Sequence, residues 1–249
     1  MKNADDYLKL AKELFTEKFG NALCAFAAGS LFRGEGTPTS DIDFVVIFST
    51  SKLPQAYRDS LKYNDVMFEC FVQNENSLEF FINEDFNSGI PILPHMIING
   101  IPLPEENDYT HELQRRVKDR YDNGPKQLTR DEINVKRYFI TDLLLDMEGC
   151  TGKEESTAIL IRLYEIIGDF YLRVNKQWSG SGKSLFRAIN NYDPFFAQEY
   201  SNVFTNAFST NNYSAVIQFG NKVLEPYGGR FWEGFKQLAP EEANKYTSA

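Results

Sequence analysis

Apolar residues Leu8, Leu10, Ala11, Leu14 and Phe15 recur at helical spacing among Lys and Glu between residues 4 and 19, and Gly20 supplies a stop. Residues 22–28 and 42–48 are short, nearly continuous apolar runs and predict two buried strands, joined by a glycine-rich loop. Residues 49–54 read as a connection and 55–63 as a short helix. Residues 66–73, rich in aromatic and β-branched side chains, predict a third strand. A helix over 74–87, capped at Asn76 or Ser77, turns Leu78, Phe81 and Ile82 inward and is broken by the segment from Gly89 to Pro94. The stretch from His95 to Pro104, with a turn at Asn99-Gly100, suits an edge hairpin or the end of the sheet.

Beyond residue 104 the period is helical throughout. Leu113, Val117 and Tyr121 fall four apart over 107–121, with a charge-rich side that reads as a solvated face. Thr129 and Glu132 form a capping box ahead of a strongly apolar helix, and another long helix spans 154–175. The remainder predicts short aromatic-rich helices packed on one another. The fold class expected is therefore α+β: an N-terminal mixed-sheet domain over 1–104, then a C-terminal helical bundle over 105–249, with the boundary between 104 and 127.

With 249 residues, 42% of them hydrophobic, the chain can bury a core without staples. Cys24, Cys70 and Cys150 show no metal-ligand spacing, and an odd count in apolar strand contexts predicts reduced thiols and a cytoplasmic setting. No apolar run approaches a membrane span, and Met1 to Asp6 lack the apolar core of a secretion signal. A formal net charge of −9 disfavours nucleic acid as a partner and suits a small, cationic second substrate.

The chemistry is concentrated in residues 29–43. Gly29-Ser30 is followed by a ten-residue spacer and then by Asp41 and Asp43, which open the apolar run from Phe44 to Phe48. In an extended strand Asp41 and Asp43 face one way while Ile42 and Phe44 face the sheet. Adjacent carboxylates repel, and a hard divalent cation, Mg²⁺ first and Mn²⁺ second, relieves that repulsion and binds nucleotide phosphates. Gly29 lets the backbone approach a triphosphate closely, and the Ser30 hydroxyl can donate to its oxygens. Gly34, Gly36 and residues 37–40 return the chain to the aspartate strand, with Ser40 and Arg33 near enough in sequence to join the nucleotide site. A surface ion pair is the competing account of Arg33.

The stretch from Ala28 to Phe48 resembles the DNA polymerase β-like nucleotidyltransferase superfamily. Its signature is an apolar residue, Gly, Gly or Ser, a spacer of about ten, then Asp-x-Asp or Asp-x-Glu among apolar residues. The branch most similar is the small bacterial one with a C-terminal helical domain, which includes aminoglycoside and lincosamide nucleotidyltransferases. The resemblance implies a third carboxylate from the strand beside the aspartates. Glu69 matches best by position, and Asp65, at the strand entrance, is the rival. It also implies transfer of a nucleoside monophosphate from an NTP to an acceptor hydroxyl, releasing pyrophosphate. Glu69 then serves either as a third metal ligand with Asp41 and Asp43 or as the base for the acceptor. The acceptor is a small molecule such as an aminoglycoside or lincosamide, or else a protein hydroxyl. A nucleotide-binding sensor without transfer is a separate possibility, and neither base preference nor oligomeric state is legible.

Two further segments invite chemistry. Residues 178–184 suggest a phosphate loop, but a glycine is required where Gln177 stands and no parallel strand precedes it. Similar Gly-Lys segments occur in the helical domain of the resembled branch, which makes Lys183 either a triphosphate ligand or a solvent-facing lysine. His95 and His111, the two histidines, read as structural.

Overall fold

The computed structural model describes residues 3–239. The chain forms two compact units, Met1–Pro125 and Lys126–Ala249.

In the first unit, helix α1 (Ala4–Phe19) precedes strands β1 (Cys24–Ala28) and β2 (Ile42–Phe48). Strands β3 (Tyr57–Tyr63) and β4 (Val66–Asn74) follow, then helices α2 (Glu75–Ser88) and α3 (Ile92–Asn99), strand β5 (Ile101–Leu103) and helix α4 (Asp108–Asp122). The sheet order is β3-β4-β2-β1-β5. Strands β2 and β4 run parallel and the other neighbours antiparallel, so the sheet is mixed. One face, carrying Ala25, Ala27, Phe44, Val46, Phe68, Cys70 and Val72, packs on the apolar stripe of α1 around Leu10, Leu14, Phe15 and Phe19. Phe44 is central there: Phe19 lies 6.0 Å from it and Phe68 meets it edge-on at 5.8 Å. The opposite face buries Phe26, Val45 and Ile47 and is contacted by α2 and α3.

Three expectations are corrected here. Residues 55–63 hold an edge strand, not a helix: Tyr63 pairs with Val66 across a two-residue turn in which Asn64 (φ 46°) and Asp65 (φ 66°) are both left-handed. That is the primed hairpin turn whose twist matches the flanking strands. Helix α2 is capped at Asn74, ahead of the expected Asn76 or Ser77. Asn74, the last residue of β4, is also its N-cap, accepting from Ser77 N at 2.9 Å, and Phe81 faces solvent while Phe86 is buried. Residues 95–104 make no hairpin but do end the sheet: they finish α3 and then pair as the edge strand β5 with β1.

The second unit is helical, comprising α5 (Arg130–Gly149), α6 (Lys153–Val174), α7 (Lys183–Tyr192), α8 (Pro194–Thr210) and α9 (Ser214–Leu224), followed by a 3-10 turn, Glu225–Tyr227. The Thr129–Glu132 capping box is formed, with Thr129 N donating to Glu132 at 2.7 Å. A single core unites Leu144, Leu163, Ile167, Phe170, Tyr200, Phe204 and Phe219. Among the described residues no helix is long and apolar enough to cross a membrane.

Candidate active site

Strand β1 ends at Ala28, which pairs with Asp43 on β2. The chain then leaves the sheet through Gly29 at φ +115°, a conformation open to glycine and strained for other residues. A Cβ on Gly29 would stand 3.2 Å from Asp43 Oδ2 and 3.3 Å from the Asp41 carbonyl oxygen. The bare backbone therefore forms a wall against which the Asp43 carboxylate lies. Asp41 precedes the strand and is exposed; Asp43 is half-buried, while Ile42 and Phe44 between and beyond them are buried. The alternation expected of this segment is what anchors it.

The loop between Gly29 and Asp41 is tied by one hydroxyl. Ser40 Oγ accepts from Thr37 N at 2.9 Å and from Ser30 Oγ at 3.1 Å, and lies 3.1 Å from Thr37 Oγ1. Ser40 thus fixes Ser30 beside Gly29. Arg33 N and Glu35 N both donate to the Ser30 carbonyl, and the Arg33 side chain pairs with Glu35 at 3.4 Å in the open. His95, on α3, is close enough to Arg33 to feel its charge. Desolvation, with that guanidinium adding to it, holds the imidazole below its ordinary pKa.

Glu69 is the direct neighbour of Asp43 in the parallel β2–β4 register. Asp65, the rival third carboxylate, sits in the hairpin turn and pairs with Lys62 at 3.0 Å. The Glu69 carboxylate is not open: Arg58, on β3, donates to Oε1 from Nη2. The sequence does not single out Arg58, because the pattern over 55–63 predicts a helix where the edge strand β3 stands. The signal that could have found it is the Asn64-Asp65 turn between two segments of β-type residues. Among the described residues no three His, Cys, Asp or Glu side chains converge as a metal cluster.

Lys183 stands in the other unit, as the first residue of α7. With Gly182, Tyr164 and Phe208 it lines a recess of about 310 Å³. Gly180 packs against the start of that helix, so residues 179–184 form a helix entry and no phosphate loop. Cys24 and Cys70 are buried free thiols whose pKa values burial pushes up to about 12.

Residues 8–90 match the family model of the nucleotidyltransferase domain. The matched span runs from α1 through α2, and so contains Gly29, Ser30, Asp41, Asp43 and Glu69. The structure is also similar to the crystal structure of a nucleotidyltransferase-like protein from Exiguobacterium sibiricum 255-15, with a TM-score of 0.47 and 11% identity over 89% of this chain and 74% of that one. No curated protein matches the chain.

A divalent ion fits the donor set. Mg²⁺ is commonly held by one or two carboxylates together with substrate phosphates, so Asp41 and Asp43 are the residues that would hold it. The close wall at Gly29 leaves phosphate oxygens room that a side chain would fill.

Proposed function

We propose that the chain transfers a nucleoside monophosphate from an NTP to a hydroxyl of a small-molecule acceptor, releasing pyrophosphate. Aminoglycoside- and lincosamide-like molecules are the first acceptor class to try. The observation that carries this reading is the Asp43 carboxylate resting against the bare backbone of Gly29, one residue from Ser30. Mg²⁺ or Mn²⁺, held by Asp41 and Asp43, would neutralise the triphosphate and polarise the reacting oxygens. In the reaction the acceptor oxygen bonds to the α-phosphorus while the bond from that phosphorus to the β-phosphate oxygen breaks. The hydroxyl proton leaves to solvent or to a nearby carboxylate, of which Glu69 is the nearest along the sheet.

The chain's own residues contribute position and charge. Gly29 admits the phosphates, and Ser30, tied through Ser40, presents its hydroxyl at their edge. Arg33, at the loop surface, can exchange Glu35 for a phosphate oxygen because an exposed pair is worth little. Three unpaired cysteines support a reducing, cytoplasmic setting, and the net charge of −9 favours a cationic acceptor over a polyanion.

The test is pyrophosphate release with Mg²⁺ and each NTP against aminoglycosides, lincosamides and a protein lysate. The expected result is acceptor-dependent release that Asp41→Asn/Asp43→Asn abolishes while the melting temperature holds or rises, since the variant removes carboxylate repulsion from the apoprotein. Full turnover in that variant would put the site elsewhere, and release dependent on the lysate alone would make the acceptor a protein.

A further inference from the structure

The strand order decides where each of the two central carboxylates can turn. Asp43 and Glu69 are register partners on the parallel strands β2 and β4, so their side chains leave the sheet on the same face. Each strand has a different outer neighbour. Beyond β2 lies β1, and Asp43 leans that way, onto Gly29. Beyond β4 lies β3, and Glu69 leans that way, onto Arg58. On that shared face the two acids thus lean toward opposite edges of the sheet.

Arg58 is placed for this by its own contacts. It pairs in register with Phe71, two residues beyond Glu69 on the same face, and its guanidinium carbon sits 4.6 Å over the Phe71 ring. The stacking holds the planar cation over the sheet with its edge toward Glu69. Glu69 is the more enclosed partner, 27% exposed against 61% for Arg58. In the metal-free protein electrostatics favour the same choice: turning Glu69 back would replace an opposite charge with the like charge of Asp43.

We propose that Arg58 is a positioning residue which keeps Glu69 out of the metal coordination sphere, so that Asp41 and Asp43 carry the ion alone. This rests on the metal-binding reading above and assigns a role to Glu69 as a charged neighbour of the site, not a ligand. The edge strand then does more than close the sheet. It sets which of three nearby carboxylates the ion can use.

The experiment is a titration of the apoprotein with Mn²⁺ alone, following loss of the free-ion electron paramagnetic resonance signal, in six proteins: wild type, Asp41→Asn/Asp43→Asn, Glu69→Gln, Arg58→Met, Arg58→Met/Glu69→Gln and Arg58→Lys. The aspartate variant should bind at least about tenfold more weakly, while Glu69→Gln stays near wild type. Arg58→Met keeps an apolar stem over Phe71 but frees Glu69, and should tighten Mn²⁺ binding several-fold. Adding Glu69→Gln to it should return the affinity to the wild-type value. Arg58→Lys, which retains the charge, should remain near wild type and guards against a folding artefact.

Weakening by Glu69→Gln equal to that of the aspartate variant would overturn the proposal, as would an Arg58→Met affinity unchanged from wild type. Tightening that survives the added Glu69→Gln would also overturn it, because a bulk charge effect would then account for the gain. Failure of the wild type to bind Mn²⁺ any better than the aspartate variant would break the metal-site reading itself.

Discussion

Two loops that both contain glycine and serine, residues 29–40 in the sheet unit and 179–184 in the helical unit, use the same local device. In each a serine hydroxyl accepts from the backbone N–H three residues earlier, Ser40 from Thr37 and Ser184 from Ser181, both at 2.9 Å. In each the serine N–H returns a bond to that same residue's carbonyl, at 3.0 and 3.1 Å. They differ in what the glycine faces. A Cβ on Gly29 would meet the Asp43 carboxylate oxygen, whereas one on Gly180 would meet Ser184 Oγ at 2.6 Å, Ser184 C at 2.7 Å and Leu185 N at 2.8 Å. The first glycine makes room beside a charged group and the second makes room for its own helix. Gly-Ser content therefore says that backbone comes close to something, and only the strand pairing says to what.

The sharpest way to break this contrast is Gly29→Ala. The added methyl both strains a backbone at φ +115° and presses on the Asp43 carboxylate. Displacing a reacting group by a fraction of an ångström at a site that works by positioning is expected to cost about a hundredfold in kcat/KM for the NTP. Pyrophosphate-release kinetics measure it. Wild-type kinetics in this variant would mean that the wall at Gly29 is mere loop geometry.

Gly180→Ala is the mirror experiment, with the smaller expected effect. The methyl would overlap backbone atoms of α7, which cannot yield as a side-chain end could. The expected cost is about 1–3 kcal/mol of stability in the helical unit. Turnover per folded molecule should be unchanged. Chemical denaturation checks the first outcome and active-fraction-corrected kinetics the second; lost turnover at full stability would show that the helical loop serves the reaction too.

The same contrast separates what the sequence disclosed from what it did not. Asp43, Gly29 and strand β2 were readable because Ile42, Phe44, Val45, Val46 and Ile47 are all buried, so the segment had to be a strand and its acids had to be exceptions. That Glu69 faces away from the α1 core was readable in the same way, since β4 alternates around buried Phe68, Cys70 and Val72, but its place beside Asp43 was only what the resemblance implied. Strand β3 offered no such contrast. Tyr57 to Ser60 are exposed and only Leu61 and Tyr63 are half-buried, so its strand identity comes from pairing with β4 and from two left-handed turn residues. Arg58, and with it the state of Glu69, was hidden by that. Helix α3 was hidden differently: Pro94 looked like a breaker, yet it is the third residue of the helix, where the first-turn N–H groups have no intrahelical partner to lose.

The finest test compares the two serines. Ser40→Ala removes the acceptor shared by Thr37 N and Ser30 Oγ, and Ser184→Ala removes the one used by Ser181 N. Each should cost about 1 kcal/mol or less, because exposed hydrogen bonds trade with water at little net loss. Stability alone will scarcely tell them apart, but KM will. Freeing Ser30 beside Gly29 lets its hydroxyl sample positions away from the phosphates, so Ser40→Ala should raise KM for the NTP a few-fold with kcat little changed. Ser184→Ala should leave both constants where they were. Equal KM in the two variants would mean that the Ser30–Ser40 bond fastens the loop without setting the nucleotide site, and Gly29 with Asp43 would then be the whole of the difference between the two loops.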